Sequence, residues 1–251
     1  MDAALLDQIP ILAVLRLLAF AVGFPLFAGP GSPRHVRLVV TLVLALVVIP
    51  TASLGPATHG ASLVIAVPLE VLLGLALGYA FSLPFHALTI TGELLGQEMG
   101  LNTAAQIDPV TGRASPLMSR LFEMLGMVLF VEFGGFALLM RTLRASFELA
   151  PAGAIAHPTA WIQPMIAGST AAVTHGVGTA FPVAALLLLL TFFAAVASRV
   201  LPRLHLFDFA WAVRLMAAMV LIVLILPRIG PRLLDFTQDV VERVGVVLGG
   251  R

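Results

Sequence analysis

Six stretches of this chain are long and almost free of charge: 9–27, 37–54, 63–91, 117–140, 168–198 and 211–227. A helix that crosses a bilayer needs about 20 mostly apolar residues, and each stretch approaches or exceeds that length. Charged residues make up only 11% of the chain, where a soluble domain has about a quarter. So few charges cannot clothe a 251-residue globule in water. Most of the surface must be solvated by lipid or by other protein. The runs predict an all-α fold of about six long apolar helices, in one domain over 1–251. Within it lie a central polar loop at 91–116 and a C-terminal tail at 228–251. Two runs, 63–91 and 168–198, exceed a bilayer's thickness and contain Pro68, Pro84 and Pro182. They are expected to be kinked, tilted or split into hairpins.

Charge narrows the function further. The net charge is +1, which gives no bulk field for nucleic acid. All fourteen cations are arginine, and with no cysteine the chain has no disulfide, thiolate metal site or cysteine nucleophile. The start, "MDAALLDQIP", carries two acids and no cation, so 9–27 reads as a retained span rather than a cleaved signal. With alternating spans, Arg34, Arg37, Arg113, Arg199 and Arg203 fall on one side. Arg141, Arg144, Arg228, Arg232, Arg243 and Arg251 fall on the other. That near balance gives no orientation under the positive-inside rule, so simple threading does not describe the final state. The histidines never take ligand spacing, and no GxSxG, HExxH, Walker A or dinucleotide fingerprint occurs. The expectation is a protein without enzymatic activity, metal or cofactor.

The densest polar run sits in the middle of the oily chain: "GELLGQEMGLNTAAQIDPVTGRASP", Gly92 to Pro116. Gly92 to Ala104 is compatible with helix. Pro109 then disfavours helix at Asp108, and Gly112 ends the turn. Gly92, Gly96, Gly100 and Ala104 form a row of small residues at every fourth position. Gly168, Ala172, Gly176, Ala180 and Ala184 form another, and Gly74 and Gly78 add a GxxxG pair. Such rows lie along one helix face and let a second backbone approach closely. Whether that backbone belongs to this chain or to another subunit is open in the sequence.

Charges inside the apolar runs include Arg16, Glu70, Arg120, Glu123, Glu132 and Arg214. At a bilayer centre each costs roughly 2.5–3.5 kcal/mol on insertion scales, so they face protein or water. Arg120 and Glu123, at i and i+3, share a face. Two roles fit. In one, Arg120, Glu123, Glu132 and Arg214 pair within helices and between subunits. In the other, Glu70, Glu123 and Glu132 line a proton or cation path of a stand-alone secondary transporter.

The central run resembles the signature of the FliR family of flagellar biosynthesis proteins, which shares a superfamily with injectisome counterparts. The family pattern is a helix ending in Q-x-x-G, then D-P-x-x-G-x-x-S-P. Here that is Gln97 and Gly100, then Asp108, Pro109, Gly112, Ser115 and Pro116. "FGGFALLMRTLRASFELAPAG" (133–153) matches the next family block, and "RVLPRLHLFDFAWAVRL" (199–215) is similar to the last. Phe136, His205 and "FAWAV" depart from the usual flagellar residues, which bears on the branch more than on the superfamily.

The resemblance implies a channel-forming subunit of the type III export gate in the bacterial inner membrane, at the flagellar basal body or injectisome base. Its implied partners are FliP-like and FliQ-like subunits, an FlhB-like switch protein and export substrates in transit. It implies helices packed on sibling subunits. It also implies a lumen or plug loop around Gln97, Asn102, Gln106, Ile107, Asp108, Pro109 and Gly112. Where family members often carry bulky aromatics this chain has "NTAAQI", with Ile107 the largest apolar residue.

Overall fold

The computed structural model describes residues 9–28, 34–51, 63–101, 116–152, 161–200 and 206–248. These form α1 (Ile9–Gly23), α2 (Pro25–Ala28), α3 (Arg34–Val48) and a 3₁₀ turn (Ile49–Thr51). Then follow α4 (Leu63–Glu98), α5 (Leu117–Glu132), α6 (Gly135–Leu149), α7 (Ile162–Val200) and α8 (Leu206–Leu248). No strand occurs among the described residues. The all-α expectation holds, with three helices long and apolar enough to cross a membrane: α4, α7 and α8. At 1.5 Å per residue, the 36, 39 and 43 residues of these helices reach about 54, 58 and 65 Å. Each exceeds a hydrocarbon core of about 30 Å.

The breaks fall where local chemistry demands them, which is not always at proline. α4 runs unbroken through Pro68 and Pro84, and α7 through Pro182. An interior proline lacks one backbone donor and crowds the carbonyl four residues back, yet neither helix splits into a hairpin. The run 117–140, expected as one segment, is instead divided. α5 stops at Glu132 and α6 starts after Gly134, whose φ of +83° lies in the left-handed region. Nothing lies within 4 Å of a Cβ built on Gly134, so glycine serves the turn there and not a close contact. At the other end, α8 continues without interruption past residue 227. The expected tail at 228–251 is therefore helical to Leu248.

The contacts group the chain into two compact units. The first comprises 1–84, 134–170 and 234–251. Its core holds Leu17, Phe20, Phe24, Leu77, Phe81 and Phe147, all fully buried. Phe20 stacks on Phe24 with centroids 5.7 Å apart, and Phe81 meets both edge-on at 5.9 Å. The second unit comprises 85–133 and 171–233. In it Phe85 packs against Phe130 at 5.4 Å, and Phe122 and Leu95 are fully buried.

Candidate functional site

The buried charges of the first unit form one cluster. Arg16 of α1 reaches Glu70 of α4 with two parallel bonds, Nε to Oε2 at 2.6 Å and Nη2 to Oε1 at 3.0 Å. Its Nη1 donates to the Ser146 carbonyl of α6 at 2.9 Å, and its guanidinium lies 4.3 Å from the Phe147 ring centroid. The two side chains are 0% and 2% exposed. A buried pair repays its desolvation only with such geometry and further hydrogen bonds. The backbones must also come close. A Cβ on Gly74 would collide with the Arg16 carbonyl, and one on Gly78 would lie 2.7 Å from the Phe20 carbonyl. Gly74 and Gly78 thus seat α4 directly on α1, one turn from the charge pair.

The other small-residue rows also meet backbone or side chains of this same chain. Gly168, Ala172, Gly176 and Ala180 are all buried. In the second unit a Cβ on Gly176 would lie 2.6 Å from the Ala87 carbonyl. There Thr91 Oγ1 bridges α4 and α7, 3.0 Å from both the Ala87 and the Gly176 carbonyls. Gly92 faces the Met118 carbonyl and the Ser119 Cα of α5. In the first unit Gly168 faces Leu83. Gly96 is buried and Gly100 half-buried.

The lumen candidates divide. Gln97 lies exposed on the last turn of α4. The helix ends at Glu98 rather than continuing to Ala104, because Gly100 adopts φ +72° and its N–H turns back to the Gln97 carbonyl at 3.0 Å. Asn102, Gln106, Ile107, Asp108, Pro109 and Gly112 lie outside the described residues. Of the assembly candidates, Arg120 and Glu132 are exposed, and Glu123 and Arg214 are half-buried. Arg214 Nη1 donates to Thr191 Oγ1 at 3.2 Å, while its Nε is buried without a hydrogen bond. In the sequence Arg16 and Glu70 stand as separate charges that no local pattern joins. The available signal was two opposite lone charges in apolar helices.

Most of the apolar surface of the two longest helices is left bare by the chain itself. Only 17% of the most apolar window of α7 is buried, and 11% of that of α8. Phe181, Leu188, Phe192 and Phe193 on α7 are each more than 60% exposed. The family model for "Bacterial export proteins, family 1" matches residues 9–240. The chain belongs to that family. Among relatives of this export family, the flagellar biosynthetic protein FliR of Escherichia coli K12 is 29% identical over 88% of this chain and 84% of its own length. FliR of Aquifex aeolicus is 26% identical over 91% and 89%. The surface presentation of antigens protein SpaR of Shigella flexneri is 24% identical over 61% and 59%. The FliR-type relationship inferred from the motifs therefore stands. With three helices fit to cross a bilayer, this member of the export family is a membrane protein.

Proposed function

We propose that this chain is a channel-forming subunit of the flagellar type III protein export gate in the bacterial inner membrane. In this reading it assembles with FliP-like and FliQ-like subunits beneath an FlhB-like switch protein. Unfolded export substrates then pass through the shared bore. The observation that carries the reading is the bare apolar surface of α7 and α8. Helices whose hydrophobic residues are uncovered over about 58 and 65 Å, roughly twice a hydrocarbon core of about 30 Å, need an apolar covering beyond lipid, and FliR-type membership supports sibling subunits as that covering. The flagellar branch is favoured by the FliR proteins of Escherichia coli and Aquifex aeolicus, which match 88% and 91% of the chain, against 61% for SpaR of Shigella flexneri and 73% for SpaR of Salmonella typhimurium.

The chain contributes shape rather than chemistry, and the energy for transport comes from other components. Non-helical polar backbone at membrane depth is tolerated only where protein or water satisfies it. A polar segment after α4 therefore belongs against an aqueous bore, where Gln97, Asn102, Gln106 and Asp108 offer hydrogen-bonding groups and Ile107 an apolar one. Pro109 and Gly112 shape its turn. Arg120, Glu123, Glu132 and Arg214 hold subunits together. The transporter alternative loses support from Glu70, whose carboxylate is occupied by Arg16.

The test is deletion of 102–112 in cells that carry the whole export apparatus. Ion leakage across the inner membrane rises if the segment helps to close the bore. Parental leakage together with normal export would remove the segment from the mechanism.

A further inference from the structure

The end of α4 is met by side chains from a helix that starts more than a hundred residues later. Gly100 closes α4 in the left-handed conformation. The Met99 and Gly100 N–H groups cap the Leu95 and Gln97 carbonyls, and the carbonyls of this last turn carry the negative end of the helix dipole. Arg214 Nη2 and Trp211 Nε1, both from α8, each lie 3.4 Å from the place a Cβ on Gly100 would take. They bring a cation and an N–H donor to a carbonyl-rich terminus. Arg214 also donates to Thr191 Oγ1 on α7, and the Thr191 hydroxyl donates a hydrogen bond to the Leu187 carbonyl at 2.8 Å. One guanidinium therefore binds α7 while facing the end of α4, and all of these residues belong to the second unit.

We propose that Arg214 and Trp211 are positioning residues that fix where the chain leaves α4, and so where the following polar segment begins. The proposal rests on the channel reading above. It gives Arg214 a task within its own chain, distinct from a contact between subunits. Lysine at 214 would keep the charge but present a single ammonium, which cannot bind Thr191 and face Gly100 together. Alanine at 100 would strain the left-handed residue without altering any charge.

The experiment compares Arg214→Ala, Arg214→Lys, Trp211→Phe and Gly100→Ala in cells with the full apparatus. Complex assembly is read on native gels, alongside ion leakage and export. The expected result is normal assembly with leakage raised about two- to fivefold in Arg214→Ala and Gly100→Ala, the size of a lost helix-end contact. Arg214→Lys and Trp211→Phe should leak less than Arg214→Ala. Parental leakage in Arg214→Ala and Gly100→Ala, with a leaky 102–112 deletion, overturns the proposal and leaves the channel reading standing. A deletion that neither leaks nor impairs export removes the segment from the mechanism, and with it the part of the channel reading on which this proposal rests. Should Arg214→Ala fail to assemble, Trp211→Phe decides, because it removes the N–H donor at the turn without straining Gly100. Raised leakage there supports the proposal, and parental leakage reassigns Arg214 to a contact between subunits.

Discussion

Arg16 and Glu70 are each costly to bury alone and tolerable only together. Removing one partner of such a pair costs roughly 3–5 kcal/mol, whereas replacing both by apolar residues of similar volume is often neutral. Glu70→Ala is therefore expected to lower the thermal midpoint of the purified assembly sharply. Adding Arg16→Met to Glu70→Leu should recover most of that loss. Equal midpoints for Glu70→Ala and the parent would show the pair to be dispensable. The glycines give a second comparison on one helix. A methyl at Gly176 meets the Ala87 carbonyl at 2.6 Å, whereas one at Gly178 meets nothing within 4 Å. Gly176→Ala should destabilise by about 1–3 kcal/mol through overpacking. Gly178→Ala should be neutral, or stabilising by up to about 1 kcal/mol through helix propensity. The same thermal melts separate them. The spacing of these small residues was readable in the sequence because it follows the helical repeat. The Arg16–Glu70 pair was not, because hydropathy is a local pattern and the two residues are 54 positions apart.

The helices were legible in kind but not in their ends. Apolar length marked α4, α7 and α8, since no soluble packing would tolerate such runs. Proline was a poor guide to breaks, because α4 and α7 continue through Pro84 and Pro182 despite the missing donor at each. Glycine was the better guide: a positive φ at Gly134 divides α5 from α6, and another at Gly100 stops α4 short of Ala104. Which face of α7 lies bare could not be read from a segment apolar all round. Phe192 and Phe193 prove to be 63% and 61% exposed. Phe193→Asp would place a charge on that face, at several kcal/mol if it is buried unpaired against a neighbour. Loss of the assembled complex on native gels is expected. Arg243→Ala is the control, because the Arg243–Asp239 pair is half exposed, and such pairs contribute about 0–1 kcal/mol. Abundant complex with Phe193→Asp would mean that this face is not covered by a subunit.

At the level of the complete chain, the Arg balance and the buried fractions of α7 and α8 point the same way. A conventional polytopic protein signals its orientation through its loops and satisfies its helices largely by itself and by lipid. This chain gives no such orientation signal and leaves α7 and α8 largely uncovered by its own residues, and both features fit the assembly proposed above for this member of the export family. The most direct measurement is to purify the chain alone and again after co-expression with the FliP-like and FliQ-like subunits proposed as its partners. Both preparations are then examined by size-exclusion chromatography with light scattering in the same detergent. The account predicts polydisperse, thermally labile material from the chain alone and a single mixed complex of defined mass from co-expression. A monodisperse, stable chain on its own that gains nothing from the partners would contradict it.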